Sequence, residues 1–143
     1  VIDIEIVPAT PIHHDFIYAT WLKSFRYASY FAKRIKNDVY FKGQHKRVTE
    51  VMNAPTTKVL VAIEPPDQEF MVGYLVYSEP MTIQYLYVKD NLRKLKVATT
   101  LIKESGLDLN KAQFTHWTYD CDWMMGKNGS EPKYPGLIYN PYA

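Results

Sequence analysis

The stretch Tyr85-Leu86-Tyr87-Val88-Lys89-Asp90-Asn91-Leu92-Arg93-Lys94-Leu95-Lys96-Val97-Ala98-Thr99-Thr100-Leu101-Ile102 changes its period midway. Up to Val88 it is aromatic and β-branched in the manner of a strand. From Leu92 onward, Leu95, Ala98, Leu101 and Ile102 recur at spacings of three and four, which predicts an amphipathic helix. That helix should end near Ser105-Gly106, where glycine can take the left-handed cap conformation. A strand end, a short polar loop and a helix start thus follow one another. Backbone N–H groups at such a junction lack partners and point one way, and the helix dipole adds to them, so the turn suits an anion, phosphate above all. Arg93, Lys94 and Lys96 raise the positive potential there. An ordinary turn with a solvated basic end is the alternative.

Upstream, Lys58–Ile63 and Phe70–Tyr77 are rich in Val, Leu, Ile and Tyr, with the polar turn Glu64-Pro65-Pro66-Asp67-Gln68 between them. They read as a hairpin, and Met81–Val88, after a turn at Pro80, as a third strand of the same meander. Ile2–Val7 alternates as a first strand, broken by Pro8 and Pro11. Asp15 is a plausible N-cap for a helix bearing Ile17, Trp21 and Phe25 on one face and running to about Lys36. A second short helix is expected from about Gln44 to Asn53. Downstream, Ala112–Thr118 returns to strand. The rest is irregular, with a last short strand around Leu137–Tyr139. A strand–helix–strand unit packs its helix on the sheet between parallel neighbours.

The chain has 143 residues, the length of one domain, and 47% of them are apolar, enough for one hydrophobic core. Aromatics reach 15%, with twelve tyrosines, a side chain suited to half-buried strands and cleft walls. The net charge of +2 is too small to argue for nucleic acid, although Lys33, Arg34 and Lys36 form a second basic group. The lone cysteine, Cys121, excludes an internal disulfide and fits a reducing compartment, so a cytoplasmic location is expected. No apolar run is long enough to span a membrane, and no basic-then-apolar opening marks a secretory leader. His13, His14, His116 and Cys121 lack the spacing of a zinc site, so no metal is expected, and the His13-His14 pair should lie exposed just ahead of the helix cap.

Taken together, Arg93-Lys94-Leu95-Lys96-Val97-Ala98 resembles the pyrophosphate signature of the GNAT N-acetyltransferases: Arg or Gln, two residues, Gly, one residue, then Gly or Ala. It matches at the first and last positions, and Lys96 stands where the family has its central glycine. Tyr87-Val88 looks like the end of the family's fourth strand, and Thr99-Thr100-Leu101-Ile102 like its following helix. Val59-Leu60-Val61-Ala62-Ile63 and Val72-Gly73-Tyr74-Leu75-Val76 resemble its second and third strands. The resemblance covers Ile2 to Thr118 and is specific over 59–102. It implies an α/β (α+β) fold with a mixed, mostly antiparallel sheet of about six strands flanked by helices on both faces. One acetyltransferase-like domain over 1–143, with an atypical tail from about Tyr119, is expected.

The resemblance further implies acetyl-CoA as co-substrate, held by Tyr87, Val88, Arg93, Lys94, Leu95, Lys96, Val97, Ala98 and Thr99. The pantetheine arm would run along the strand ending at Val88. The thioester would lie where that strand and Ala112–Thr118 part, an amine would attack it directly, and an amide near Val88 would face the oxyanion. Such transfer needs a base for the amine and an acid for the leaving thiolate. His116 is the expected base, by the range in which imidazole titrates. Tyr119 and Tyr134 are the candidate acids, and Asp120 and Asp122 alternative bases. The family's usual Asn-containing helix after the fifth strand is not evident. Cys121 has no neighbour in sequence to activate it as a nucleophile.

Two other readings compete with the enzyme. A binding or structural protein could keep the fold without catalysis, and the replaced glycine favours it. Nucleic-acid binding could use the two basic groups and the interleaved aromatics. The tail Lys133-Tyr134-Pro135-Gly136-Leu137-Ile138-Tyr139-Asn140-Pro141-Tyr142 could cover the sheet edge, fill the cleft or make a homodimer contact. Its ending also resembles short acetyltransferase-like proteins of tailed bacteriophages.

Overall fold

Helix and strand periods alternate along the chain, and the elements follow them. The computed structural model describes residues 3–89, 96–126 and 131–143, with Trp123 by its backbone alone. In chain order they are β1 (Glu5–Pro8), α1 (Pro11–Ala28), a 3-10 turn (Ala32–Arg34), α2 (Asn37–Asn53), β2 (Thr57–Ile63), β3 (Met71–Ser78), β4 (Thr82–Val88), α3 (Val97–Ser105), β5 (Gln113–Phe114), α4 (Tyr119–Met124) and β6 (Ile138–Tyr139). The six strands form one sheet in sequence order. β1 to β4 are antiparallel neighbours, whereas β4–β5 and β5–β6 pair in parallel. The mixed sheet expected above is present, with helices on both faces.

The meander is the centre because its side chains serve both faces. From Tyr74 to Tyr77 they alternate: Tyr74 and Val76 pack with Ile17, Trp21 and Val48 of α1 and α2, while Leu75 and Tyr77 pack with Val97 and Leu101 of α3. β3 is buried along nearly its whole length. Fully burying a large apolar side chain is worth about 1.5–3 kcal/mol, so these two clusters hold the layers together. Trp21 lies flat on Tyr85, ring centroids 5.1 Å apart, and the Tyr74 hydroxyl reaches Thr20 and the Ile17 carbonyl. Buried tyrosine hydroxyls need such partners. Burial pushes the Tyr74 pKa well up despite the Thr20 bond.

Several local expectations give way to tertiary structure. The first helix starts at Thr10 and Pro11, with Asp15 inside it. His13 is buried rather than exposed. Its Nδ1 accepts from the Thr10 amide at 3.0 Å, the role a glutamate plays in a capping box, and its Nε2 donates to the Gln68 carbonyl at 2.7 Å. α2 is 17 residues long, not a short helix from Gln44. β5 keeps only Gln113 and Phe114 of the strand expected over Ala112–Thr118, because the chain turns away from β4 there.

Gly73 marks a close approach. A Cβ on it would lie 2.6 Å from the Tyr87 carbonyl oxygen of the neighbouring strand. Backbone cannot rotate aside, so Gly73→Ala should destabilise the fold by about 1–3 kcal/mol. Urea denaturation should show a lowered midpoint with an unchanged slope.

Candidate active site

The site begins where the sheet comes apart. β4 pairs with β5 only at Thr82–Gln113 and Ile83–Phe114. At that point β4 carries a bulge: Val76 faces Tyr85 and Tyr77 faces Ile83, which leaves Gln84 as the extra residue. A bulge bends its strand and ends regular pairing. Beyond it the strands diverge around a cavity of about 580 Å³. Tyr85, Tyr87 and Val88 line it from β4, and His116, Tyr119 and Cys121 from the β5 side. Ser24 and Ala28 of α1 and Ala98 of α3 also reach it, so the opening runs through the sheet from one helical layer to the other.

A directed hydrogen-bond chain crosses the point of parting. The Gln44 amide nitrogen can only donate, so His116 Nε2 accepts from it at 2.9 Å. Nδ1–H then donates to Thr115 Oγ1 at 2.8 Å. The Thr115 hydroxyl proton passes on to Gln84 Oε1 at 3.0 Å, and Gln84 Nε2 donates to Ser78 Oγ at 3.1 Å. Thr115 and Gln84 are buried, so each bond answers a group that water cannot reach. The imidazole is enclosed by the rings of Trp21, Phe25 and Tyr85. Burial, then the nearby Arg47 charge, lowers its pKa to about 3. A protonated ring would also set an Nε2–H against the donors of Gln44. His116 is therefore neutral across the physiological range, and its low basicity counts against the general-base role expected of it.

The candidate acids separate. Tyr119 opens α4 and lines the cavity, and Lys33 of the 3-10 turn donates to its hydroxyl, with Nζ 4.7 Å above the ring. Tyr134 packs with Ala112, Phe114 and Leu137 in a satellite cluster instead of on the cavity wall. Asp120 lines the cavity and is exposed. Asp122 is no solvated loop carboxylate. It is buried on α4, with Oδ1 2.6 Å from Trp117 Nε1 and Oδ2 2.8 Å from the Tyr30 hydroxyl. Burial raises the Cys121 thiol pKa, so no activated thiolate faces the cavity. Gln44, Thr115, Gln84 and Lys33 escaped sequence reading because residues 31 to 86 positions apart along the chain meet only after folding.

Of the expected cofactor residues, Arg93, Lys94 and Leu95 lie outside the described residues. Tyr87, Val88 and Ala98 line the cavity, Val97 is buried beneath α3, and Lys96 and Thr99 are exposed at the helix start. The Thr100 N–H donates to the Lys96 carbonyl at 3.0 Å, and the amides of Val97, Ala98 and Thr99 precede it in the first turn of α3. Lys96, the N-cap, has φ 60° and ψ 25°, the left-handed conformation that glycine adopts freely. The backbone at this turn thus has a conformation that favours glycine, although the residue is lysine.

No protein-family model and no curated protein matches the sequence. Solved structures do. A Pyrococcus furiosus protein described as an acetyl transferase superposes with a TM-score of 0.57 at 13% identity, over 96% of this chain and 82% of its own. The PaiA N-acetyltransferase of Thermoplasma acidophilum, solved with coenzyme A, gives 0.51 at 13% identity, over 73% of this chain and 70% of its own. YjaB of Escherichia coli gives 0.51 at 17% identity, over 72% and 64%. The fold is that of the GNAT acetyltransferases.

Two tests follow from this geometry. A left-handed non-glycine residue costs about 1–2 kcal/mol, so Lys96→Gly should stabilise the protein by about 1 kcal/mol in urea, after the added freedom of the unfolded chain is counted. His116, followed by NMR, should not titrate between about pH 5 and 9, and Gln44→Glu should raise its pKa by supplying an acceptor for an Nε2 proton. The depressed pKa also fixes a sign. The unfolded chain takes up a proton on this residue below about pH 6.5, so its contribution to stability is whole above that pH and declines as pH falls towards about 3.

Proposed function

We propose that the protein is an acyl-CoA-dependent N-acyltransferase, with acetyl-CoA the acyl donor and a primary amine the acceptor. The observation that carries this reading is the parting of β4 from β5 directly upstream of the α3 N-terminus. A thioester needs room between the strands and its pyrophosphate needs amides a short distance beyond, and the chain offers both in line. The coenzyme A complex of the Thermoplasma neighbour adds support at the level of fold.

In this reading α3 receives the pyrophosphate at Lys96–Thr99, and Tyr87 and Val88 flank the pantetheine arm. The amine nitrogen attacks the thioester carbonyl carbon. A C–N bond forms, the C–S bond breaks, and the sulfur leaves as thiolate. Tyr119 gives that sulfur its hydroxyl proton, and the Lys33 ammonium at its oxygen stabilises the phenolate formed. The amine loses its surplus proton to water or to Asp120 at the exposed end of the cavity, and Tyr119 recovers a proton from solvent. His116 keeps its ring neutral and positions the cavity wall instead of storing the proton. The products are an N-acyl amine and free coenzyme thiol, so atoms and charge balance.

Calorimetry with acetyl-CoA and an acetyl-transfer assay over a panel of amines test the reading. Tyr119→Phe should lower kcat by about 10²–10⁴-fold and leave the acetyl-CoA Kd unchanged. No heat at millimolar acetyl-CoA would remove the donor, while binding without turnover of any amine would leave a coenzyme-binding protein.

A further inference from the structure

A second cavity, of about 710 Å³, lies against the first on the α1–α2 side of the sheet. Its walls are Phe25, Tyr30, Phe31, Tyr40, Trp117 and Tyr139, with Ile35 and Val39 at the rim. Much of this apolar surface is open to solvent: Phe31 is 80% exposed, Val39 58% and Tyr30 48%. Exposed apolar patches of this kind mark binding sites. The wall is fixed, since the two oxygens of buried Asp122 hold the Tyr30 hydroxyl and the Trp117 indole. None of the described lining residues is charged.

Gly43 is the most informative residue. It sits inside α2, where glycine weakens a helix relative to alanine. The fold does not require it: a Cβ there would meet nothing within 4 Å, and its φ is not in the left-handed range. Its missing side chain leaves space in one place, the cavity it lines. The cavity adjoins the acyl gap. Gln44 lines the one, His116 lines the other, and they are hydrogen-bonded to each other, so one layer of side chains divides them.

We propose that this cavity is the acceptor subsite and takes a primary amine carrying an uncharged aromatic body of one or two rings. The assignment of the amine as acceptor rests on the acyl-transfer reading above; the binding of the aromatic body does not. Rings stack on the aromatic walls, and the amine reaches past Gln44 and His116 towards the thioester. The wall itself carries no charge, and behind it the Arg26 guanidinium, 4.8 Å from the Tyr40 ring centroid, is balanced by the Asp122 carboxylate that holds Tyr30 and Trp117, so a polycation finds no excess of negative charge there.

The experiment is a titration of the full chain with tryptamine, 2-phenylethylamine, spermidine and a lysine peptide, without coenzyme, read at the Trp117 indole N–H by NMR. The aromatic amines should shift that signal and bind at least tenfold more tightly than spermidine or the peptide. Gly43→Leu should weaken them at least tenfold with the acetyl-CoA Kd unchanged, and Gly43→Ala should raise the urea midpoint, which keeps the test free of misfolding. Absence of aromatic-amine binding at millimolar concentration, equal affinity in Gly43→Leu, or preference for the polycations overturns the proposal. So does a self-association, seen by sedimentation, that buries this face and excludes the amines. Aromatic amines that bind and are not acetylated would sink the acyl-transfer reading while leaving the aromatic subsite in place.

Discussion

Everything distinctive about the molecule depends on one interruption of a β-ladder. Sheets hold because each strand satisfies its neighbour's amides and carbonyls, and a strand that leaves early must have its polar groups answered otherwise. Here Gln84 bulges out of β4, and its side chain and carbonyl both lie within reach of the Thr115 hydroxyl. The bond from Thr115 replaces the ladder for one more step, and His116 behind it closes the line to α2 through Gln44. Every member of that line donates in one direction, from Gln44 to Ser78. A chain of this kind fixes the tautomer of the imidazole and the point at which the strands separate. Removing any member leaves a buried donor or acceptor without its partner, which is costly.

The sequence revealed those parts whose cause is local. Val, Ile and Tyr alternate through β2, β3 and β4 because each strand packs one layer of helix on each face, and the i, i+4 spacing of Val97 and Leu101 turns both to the sheet side of α3. The start of α3 was legible from the switch of period alone. What stayed hidden was decided at long range. Nothing near His13 in the chain indicates that Gln68 will accept its Nε2 proton, so an internal cap read as an exposed histidine. Ala112–Thr118 has the composition of a strand, yet from Thr115 onward its side chains serve the network and the cavity, and the ladder stops. Asp122, an alternative base by its chemistry, is instead held between Trp117, five residues away, and Tyr30, 92 residues away, a pairing that only the fold creates. Gly43 and the polar residues around it hid the first half of α2.

Low basicity at His116 and the proposed use of an uncharged aromatic cavity for an amine rest on the same physics. A desolvated imidazole resists protonation, and a desolvated ammonium resists staying charged. In the proposed transfer the leaving thiolate would take its proton from Tyr119, whose hydroxyl accepts from Lys33 on the α4 side of the cavity. With His116 held neutral, the amine's surplus proton would be left to water or to Asp120.

Lys96 shows a backbone geometry imposed on a residue that does not favour it. A left-handed N-cap on α3 strains any side chain, and a strained backbone persists only when its surroundings over-determine it. Here Val97 and Leu101 are buried against the sheet, and Thr100 holds the Lys96 carbonyl through both its amide and its hydroxyl. These contacts fix the helix start in position and orientation, so the chain must enter it by that one turn. Glycine would relieve the strain and remove a positive charge from the helix start, whereas lysine accepts the strain because the buried side of α3 leaves the backbone no other way in.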